Sequence, residues 1–218
     1  MELKPTVKFL KELSANNTKE WFDQNRKTYE SCRVEFVDLV SKIIHEISKF
    51  DPELTGVDPK KCVFRINRDI RFSKDKTPYK TNFGALMGAN GKKTEGTGFY
   101  IHLASGQSFA GGGIYMPQPE MLAAIRQEID YNPDRLKELI SSQEFKQTFD
   151  EIRGDKLKTA PKGYPKDHPN IELLRLKSFY VVKEFSDKEI TADGFFDELI
   201  STYKKAYEFN KYLKAAIS

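Results

Sequence analysis

The chain has 218 residues, a formal net charge of +4 and 39% hydrophobic residues, a size that favours one domain, residues 1–218, with a core that needs no covalent staples. Its 16 Phe and 10 Tyr exclude a disordered chain, and the lack of any long apolar run excludes a membrane-spanning helix. The charge is too mild for a protein that coats DNA, and two cysteines with no signal pattern at Met1–Pro5 point to the cytoplasm.

Residues 5–13 read as a short helix, with Phe9, Leu10 and Leu13 apolar. Asn17 and Glu20 have the spacing of a capping box, so a second, long helix is expected to run on to Phe50 and end at Asp51-Pro52. Its stripe includes Phe22, Tyr29, Phe36, Val40, Ile43 and Ile47.

From Cys62 the pattern alternates. Phe64, Ile66, Ile70 and Phe72 would share one face of a strand, and Arg65, Asn67, Asp69 and Arg71 the other. Arg68 falls on the apolar face. Asn82–Met87, Gly98–Ala104 and Gln107–Tyr115 continue as an antiparallel meander, with a tight turn expected at Asn90-Gly91. Gly111-Gly112-Gly113 is poor strand material unless something packs close to the backbone.

Helical spacing returns from Met121 to Phe149. A Lys-rich loop over 154–170 ends in Asp167-His168-Pro169, followed by a short helix at Ile171–Leu176. Phe179–Phe185 reads as a strand and the chain from about Asp193 as a terminal helix. The fold class is α+β: a central, mainly antiparallel sheet (roughly 62–115 plus 179–185) packed by N-terminal and C-terminal helices.

The stretch 65–80 carries the chemistry. It has six Lys/Arg against two Asp, while the whole chain has 36 against 32, so this segment holds the entire charge imbalance. A charge at Arg68 on a buried face needs an opposite charge, either a protein carboxylate (Asp69, Glu20 or Asp23) or an anionic ligand. Its planar guanidinium suits bidentate binding of carboxylate or phosphate. Arg65 and Arg71 flank Asp69, either as a self-neutralising cluster or as an open clamp, and a bulge near Asn67 would turn Arg68 towards them. Lys76 and Tyr79 either serve the same anion or are ordinary loop residues.

Asp69 and His102 are the weak candidates for general acid–base chemistry; His102, on the polar side of its strand, is either a base or a structural residue. His168, before Pro169 at the end of the basic loop, reads as a cap at the start of the following helix, and His45 as a structural residue of its helix. The three histidines are too scattered for a metal centre. The glycine run matches no nucleotide-binding fingerprint, and Cys32 and Cys62 lack an activating context. No cofactor is expected.

The spacing Arg-x-x-Arg-Asp-x-Arg-Phe-x-x-x-Lys-x-x-Tyr resembles the hallmark of domain-of-unknown-function family 2461, a bacterial and fungal family. It is filled by Arg65, Arg68, Asp69, Arg71, Phe72, Lys76 and Tyr79, with Asp75 before the lysine. Phe9–Leu13, Glu20-Trp21-Phe22, the glycine run to Tyr115 and Asp167-His168-Pro169 resemble the family as well. The resemblance implies a family but no activity.

The residues themselves point first to a phosphate- or carboxylate-bearing small molecule. Arg65, Arg68 and Arg71 would hold it, Asp69 would orient an arginine or act as base, and Lys76 and Tyr79 would close the site. The alternatives are a nucleic-acid module using the same patch with Lys74, Lys80, Lys92 and Lys93, whose binding would fall steeply with salt, and an interaction protein whose ion network is purely structural.

Overall fold

The computed structural model describes residues 2–218. Among them are ten α-helices and four strands: α1 (Lys4–Ala15), α2 (Lys19–Gln24), α3 (Arg26–Ser48), α4 (Pro59–Cys62), β1 (Asn82–Met87), β2 (Gly98–Ala104), β3 (Ser108–Ile114), α5 (Pro119–Tyr131), α6 (Pro133–Ser141), α7 (Gln143–Phe149), α8 (Ile171–Leu174), β4 (Phe179–Phe185), α9 (Asp187–Ile190) and α10 (Phe195–Ile217). The strands form one antiparallel sheet in the order β1-β2-β3-β4, so the chain is α+β. No helix among the described residues is long and apolar enough to cross a membrane. The chain groups into two compact units, one comprising the chain through Lys93 with Tyr100–Ala110 and Glu184–Ser201, the other Thr94–Phe99, Gly111–Lys183 and Thr202–Ser218.

In the first unit, α3 presents Phe36, Leu39, Val40, Ile43 and Ile47 as one fully buried stripe. Phe36 stacks on Phe83 of β1 at 5.3 Å, and Phe9 of α1 meets Trp21 and Phe22 of α2. The long helix expected from residue 18 is broken at Asn25, whose side-chain amide donates to the Trp21 carbonyl. The helix cap also moves by one residue. Thr18, not Asn17, accepts from the Trp21 N–H at 3.2 Å. Asn17 instead clasps the backbone of Tyr79, donating to its carbonyl at 2.9 Å and accepting from its N–H at 3.1 Å.

In the second unit, Tyr203 of α10 stands edge-on to Phe99 at 5.6 Å, and Phe209 meets Phe145 of α7. The glycine run is explained by close backbone approach. A Cβ at Gly111 would enter the space of Val181 and Val182 of β4, and one at Gly113 that of Phe179 and Tyr180. Gly112 instead faces Ala206 and Asn210 of α10.

Two sequence expectations fail locally. Asn90-Gly91 does not form a two-residue turn; Gly91 takes φ +59° in a short 3₁₀ turn, Gly91–Lys93, within a longer connection. The alternating segment from Cys62 is not a regular strand. Cys62 ends α4, and 63–67 makes only isolated bridges, Val63 with Ala85 and Asn67 with Tyr79. Phe72, expected on an apolar face, is 96% exposed.

Candidate functional site

The segment from Val63 folds back on the chain leading into β1 as a hairpin with a broken register. The Phe64 N–H donates to the Gly84 carbonyl, the Lys80 N–H to the Ile66 carbonyl and the Arg68 N–H to the Pro78 carbonyl. Between the two paired stretches one side advances two residues, from 64 to 66, while the other advances four, from 80 to 84. The slip therefore lies opposite Arg65 and beside Lys80 rather than at Asn67, and it displaces these two side chains from the regular alternation.

The tip of the hairpin is braced from within. Arg68 pairs with the Asp75 carboxylate and donates to the Thr77 hydroxyl. The carboxylate that meets it is thus Asp75, not Asp69, Glu20 or Asp23. Asp69 is instead held bidentately by one edge of the Arg71 guanidinium, Nε donating at 3.0 Å and Nη2 at 2.6 Å. Asp23 pairs with Lys19 and Arg26. The Thr77 N–H, then the Arg68 guanidinium, hold the Asp75 carboxyl down at about 2. The Arg71 side chain lowers Asp69 in the same way. Lys76 Nζ donates to the Ile70 carbonyl at 2.9 Å. Tyr79 lies away from these cations in the core, its ring stacked on Phe22 at 3.9 Å and 14°.

Once these pairs are drawn, the cations at the slip are left over. Arg65 is exposed, and its side chain has no hydrogen-bond partner among the described residues. Lys80 is half-buried, with Nζ over the Phe64 ring at 5.3 Å. Burial, and then the neighbouring Arg65 charge, hold the Lys80 ammonium below its usual range. Arg65 and Lys80 thus feel each other's charge and neither is hydrogen-bonded to a carboxylate, although Arg65 also acts at longer range on Asp69, whose main partner is Arg71.

The slip adjoins one face of β1, β2 and β3. On β2, Phe99, Ile101 and Leu103 are buried while Tyr100 and His102 are half-buried on the other face. Phe64 lies edge-on to Tyr100 at 6.4 Å, and His102 stacks on Phe109 at 4.6 Å and 6°. The Asn82 amide donates to His102 Nδ1 at 3.3 Å, which leaves Nε2 carrying the proton. Burial lowers the His102 pKa and pushes the Tyr100 phenol up to about 12. For an acid raised above its ordinary 10.0, stability is complete below that pH and is lost as pH climbs towards about 12. Tyr100→Phe is therefore expected to flatten the alkaline fall in Tm, as followed by thermal melts from pH 9 to 12.

The remaining histidines serve other ends. His168 Nε2 donates to Asp130 at 2.9 Å and Nδ1 accepts from the Asn170 N–H at 3.0 Å, an arrangement that ties down the chain just before α8. His45 sits in the last turn of α3. Cys32 and Cys62 are buried free thiols, and burial pushes Cys62 up to about 11. Among the described residues no cluster of three or more His, Cys, Asp or Glu side chains could hold a metal ion. Sequence reasoning placed Lys80 only in the nucleic-acid patch and missed Asn82, Tyr100 and Phe109. The available signal was alternation, since these residues occupy the face opposite the buried positions of neighbouring strands.

The family model described as conserved hypothetical protein (DUF2461) matches residues 5–212. No curated protein and no solved structure matches the chain. With almost its whole length inside that match, the chain belongs to domain-of-unknown-function family 2461.

Proposed function

We propose that this protein binds a phosphate- or carboxylate-bearing small molecule at the register slip, with Arg65 and Lys80 as the groups that hold the anion. The observation that carries the reading is the pair itself: Lys80, half-buried and backbone-bonded to Ile66, the residue next in the chain to Arg65, with no carboxylate hydrogen-bonded to either cation. Charge-assisted hydrogen bonds to an anion would relieve both the desolvation and the mutual repulsion. Arg68 and Tyr79 act as positioning residues, closing the neck of the hairpin and anchoring its base. Arg71, Asp69 and Lys76 set the shape of the tip, and Arg71 reaches the anion only by giving up Asp69. The cytoplasm is the compartment this reading assumes, and the two buried free thiols agree with it.

Isothermal titration with inorganic phosphate at low salt tests the proposal. Wild type is expected to bind, and Arg65→Ala and Lys80→Ala each to weaken binding roughly tenfold or more, the scale of one charge-assisted hydrogen bond. Arg68→Ala, whose guanidinium already meets Asp75, should cost less. Absence of phosphate and acetate binding to wild type would refute the reading.

One observation favours a second reading. Phe72 projects at the tip, 96% exposed, with the Arg71 guanidinium 5.9 Å from its ring centre and Lys74 nearby in sequence. Bases of a single strand stack on such a ring while phosphates meet the cations. This reading requires that Phe72→Ala weaken oligonucleotide binding and that affinity fall steeply between two salt concentrations.

A further inference from the structure

Resting on the anion site proposed above, we infer that the ligand is an aromatic or heteroaromatic phosphate monoester, its phosphate at Arg65 and Lys80 and its ring on the aromatic face beside them.

The charge argues for phosphate. Asp75 is ion-paired with Arg68 and Asp69 with Arg71, so the cations Arg65, Arg68, Arg71 and Lys80 outnumber these two carboxylates by two. Of the four, Arg65 and Lys80, with only a longer-range pull of Asp69 on Arg65, are the two without a bonded carboxylate. A carboxylate supplies one negative charge, whereas a phosphate monoester carries about −1.5 to −2 at neutral pH.

The sheet face argues for a ring. The solvent side of an antiparallel sheet is ordinarily polar. Here it carries Phe64, Tyr100, His102 and Phe109, all half-buried and joined in a run of ring contacts from 4.6 to 6.4 Å. Lys80 stands over the first of these rings, so the cationic end and the aromatic end are contiguous. Gly84 lets the face lie flat. A Cβ there would come within 2.7 Å of the Tyr100 hydroxyl, so the absent side chain is what lets Tyr100 lie across β1.

His102 supplies the polar contact. Its Nδ1 is engaged by Asn82, and its Nε2–H has no partner among the described residues. A neutral imidazole fixed in that tautomer donates to an acceptor, such as a ring nitrogen or carbonyl of the ligand.

The test is the ratio of affinities for phenyl phosphate and inorganic phosphate, measured by titration calorimetry on the same protein. In wild type the ratio should be about tenfold or more, the gain of one stacked ring. In His102→Gln and in Phe109→Leu it should fall towards one, with melting curves confirming that each variant is folded. Wild-type protein gives a second readout free of any folding question: phenyl phosphate should shift the His102 imidazole resonances and leave those of His45 and His168 in place. A wild-type ratio near one, with phosphate bound, overturns the aromatic inference and spares the anion site. A high ratio that survives both variants, or a titration that leaves His102 unmoved, overturns the placement of the ring. If neither phosphate compound binds, the inference and the anion site fall together.

Discussion

Replacing Tyr79 by alanine is expected to be among the most damaging single changes in the charged motif, although Tyr79, like Phe72, carries no charge. The ring is 6% exposed and stacked on Phe22 at 3.9 Å, and its backbone is clasped on both sides by Asn17. Truncating a buried aromatic leaves a cavity and costs about 3–5 kcal/mol, which in a chain of this length lowers Tm by roughly 10 °C. Tyr79→Phe keeps the stacked ring and should cost about 1 kcal/mol or less. Thermal melts of the two variants separate the ring from the hydroxyl. Equal losses in Phe and Ala would mean that the hydroxyl, not the stacking, holds the base of the hairpin.

Gly111→Ala is expected to be comparably damaging. The added methyl meets the Val181 carbonyl and the Val182 Cα, which are backbone atoms of β4 and cannot turn aside as a side chain would. Overpacking typically costs about 1–3 kcal/mol where side chains can adjust, so a backbone collision should reach or pass the top of that range. Gly113→Ala should behave similarly, because it adds a φ of +138° to a collision with β4. Gly112→Ala should be milder, since its methyl would stand 3.1–3.2 Å from side-chain atoms of Asn210 and Ala206. Gly106, with φ +73° and nothing within 4 Å, is the control: Gly106→Ala should cost only about 1–2 kcal/mol of backbone strain. Chemical denaturation of the four variants gives the order. Gly111→Ala no worse than Gly106→Ala would mean that β3 and β4 do not approach as closely as described.

Much of the fold was legible because hydrophobic periodicity is local. The strands Gly98–Ala104 and Phe179–Phe185 fall where alternation placed them, and the α3 stripe is the buried stripe. The failures have physical causes. Alternation from Phe64 to Phe72 looked like a strand, but a strand exists only where its partner keeps register, and here the partner advances two residues further. Beyond Arg68 the chain closes on itself through Asp75 and Thr77, so Phe72 ends up in solvent. The helix expected through residue 25 breaks at Asn25, whose backbone leaves the helical region (φ −102°, ψ 13°) while its side chain joins its own N–H on the Trp21 carbonyl, a local arrangement that helical spacing does not reveal.

For the candidate site, composition and spacing were enough to locate the excess charge in residues 65–80 and to identify the α+β order of elements, while the family came from a resemblance that the family model bears out over residues 5–212. Only the tertiary structure decided which of those charges are already spent. Arg68 and Arg71 are ion-paired with Asp75 and Asp69, while Arg65 and Lys80, at the register slip, have no carboxylate hydrogen-bonded to them. It also decided that Tyr79 packs in the core and that Asn82, Tyr100, His102 and Phe109 share the face next to these two cations. The reason is range: periodicity needs only neighbours along the chain, whereas the energy of a charge or a ring depends on distance and burial among residues the fold brings together.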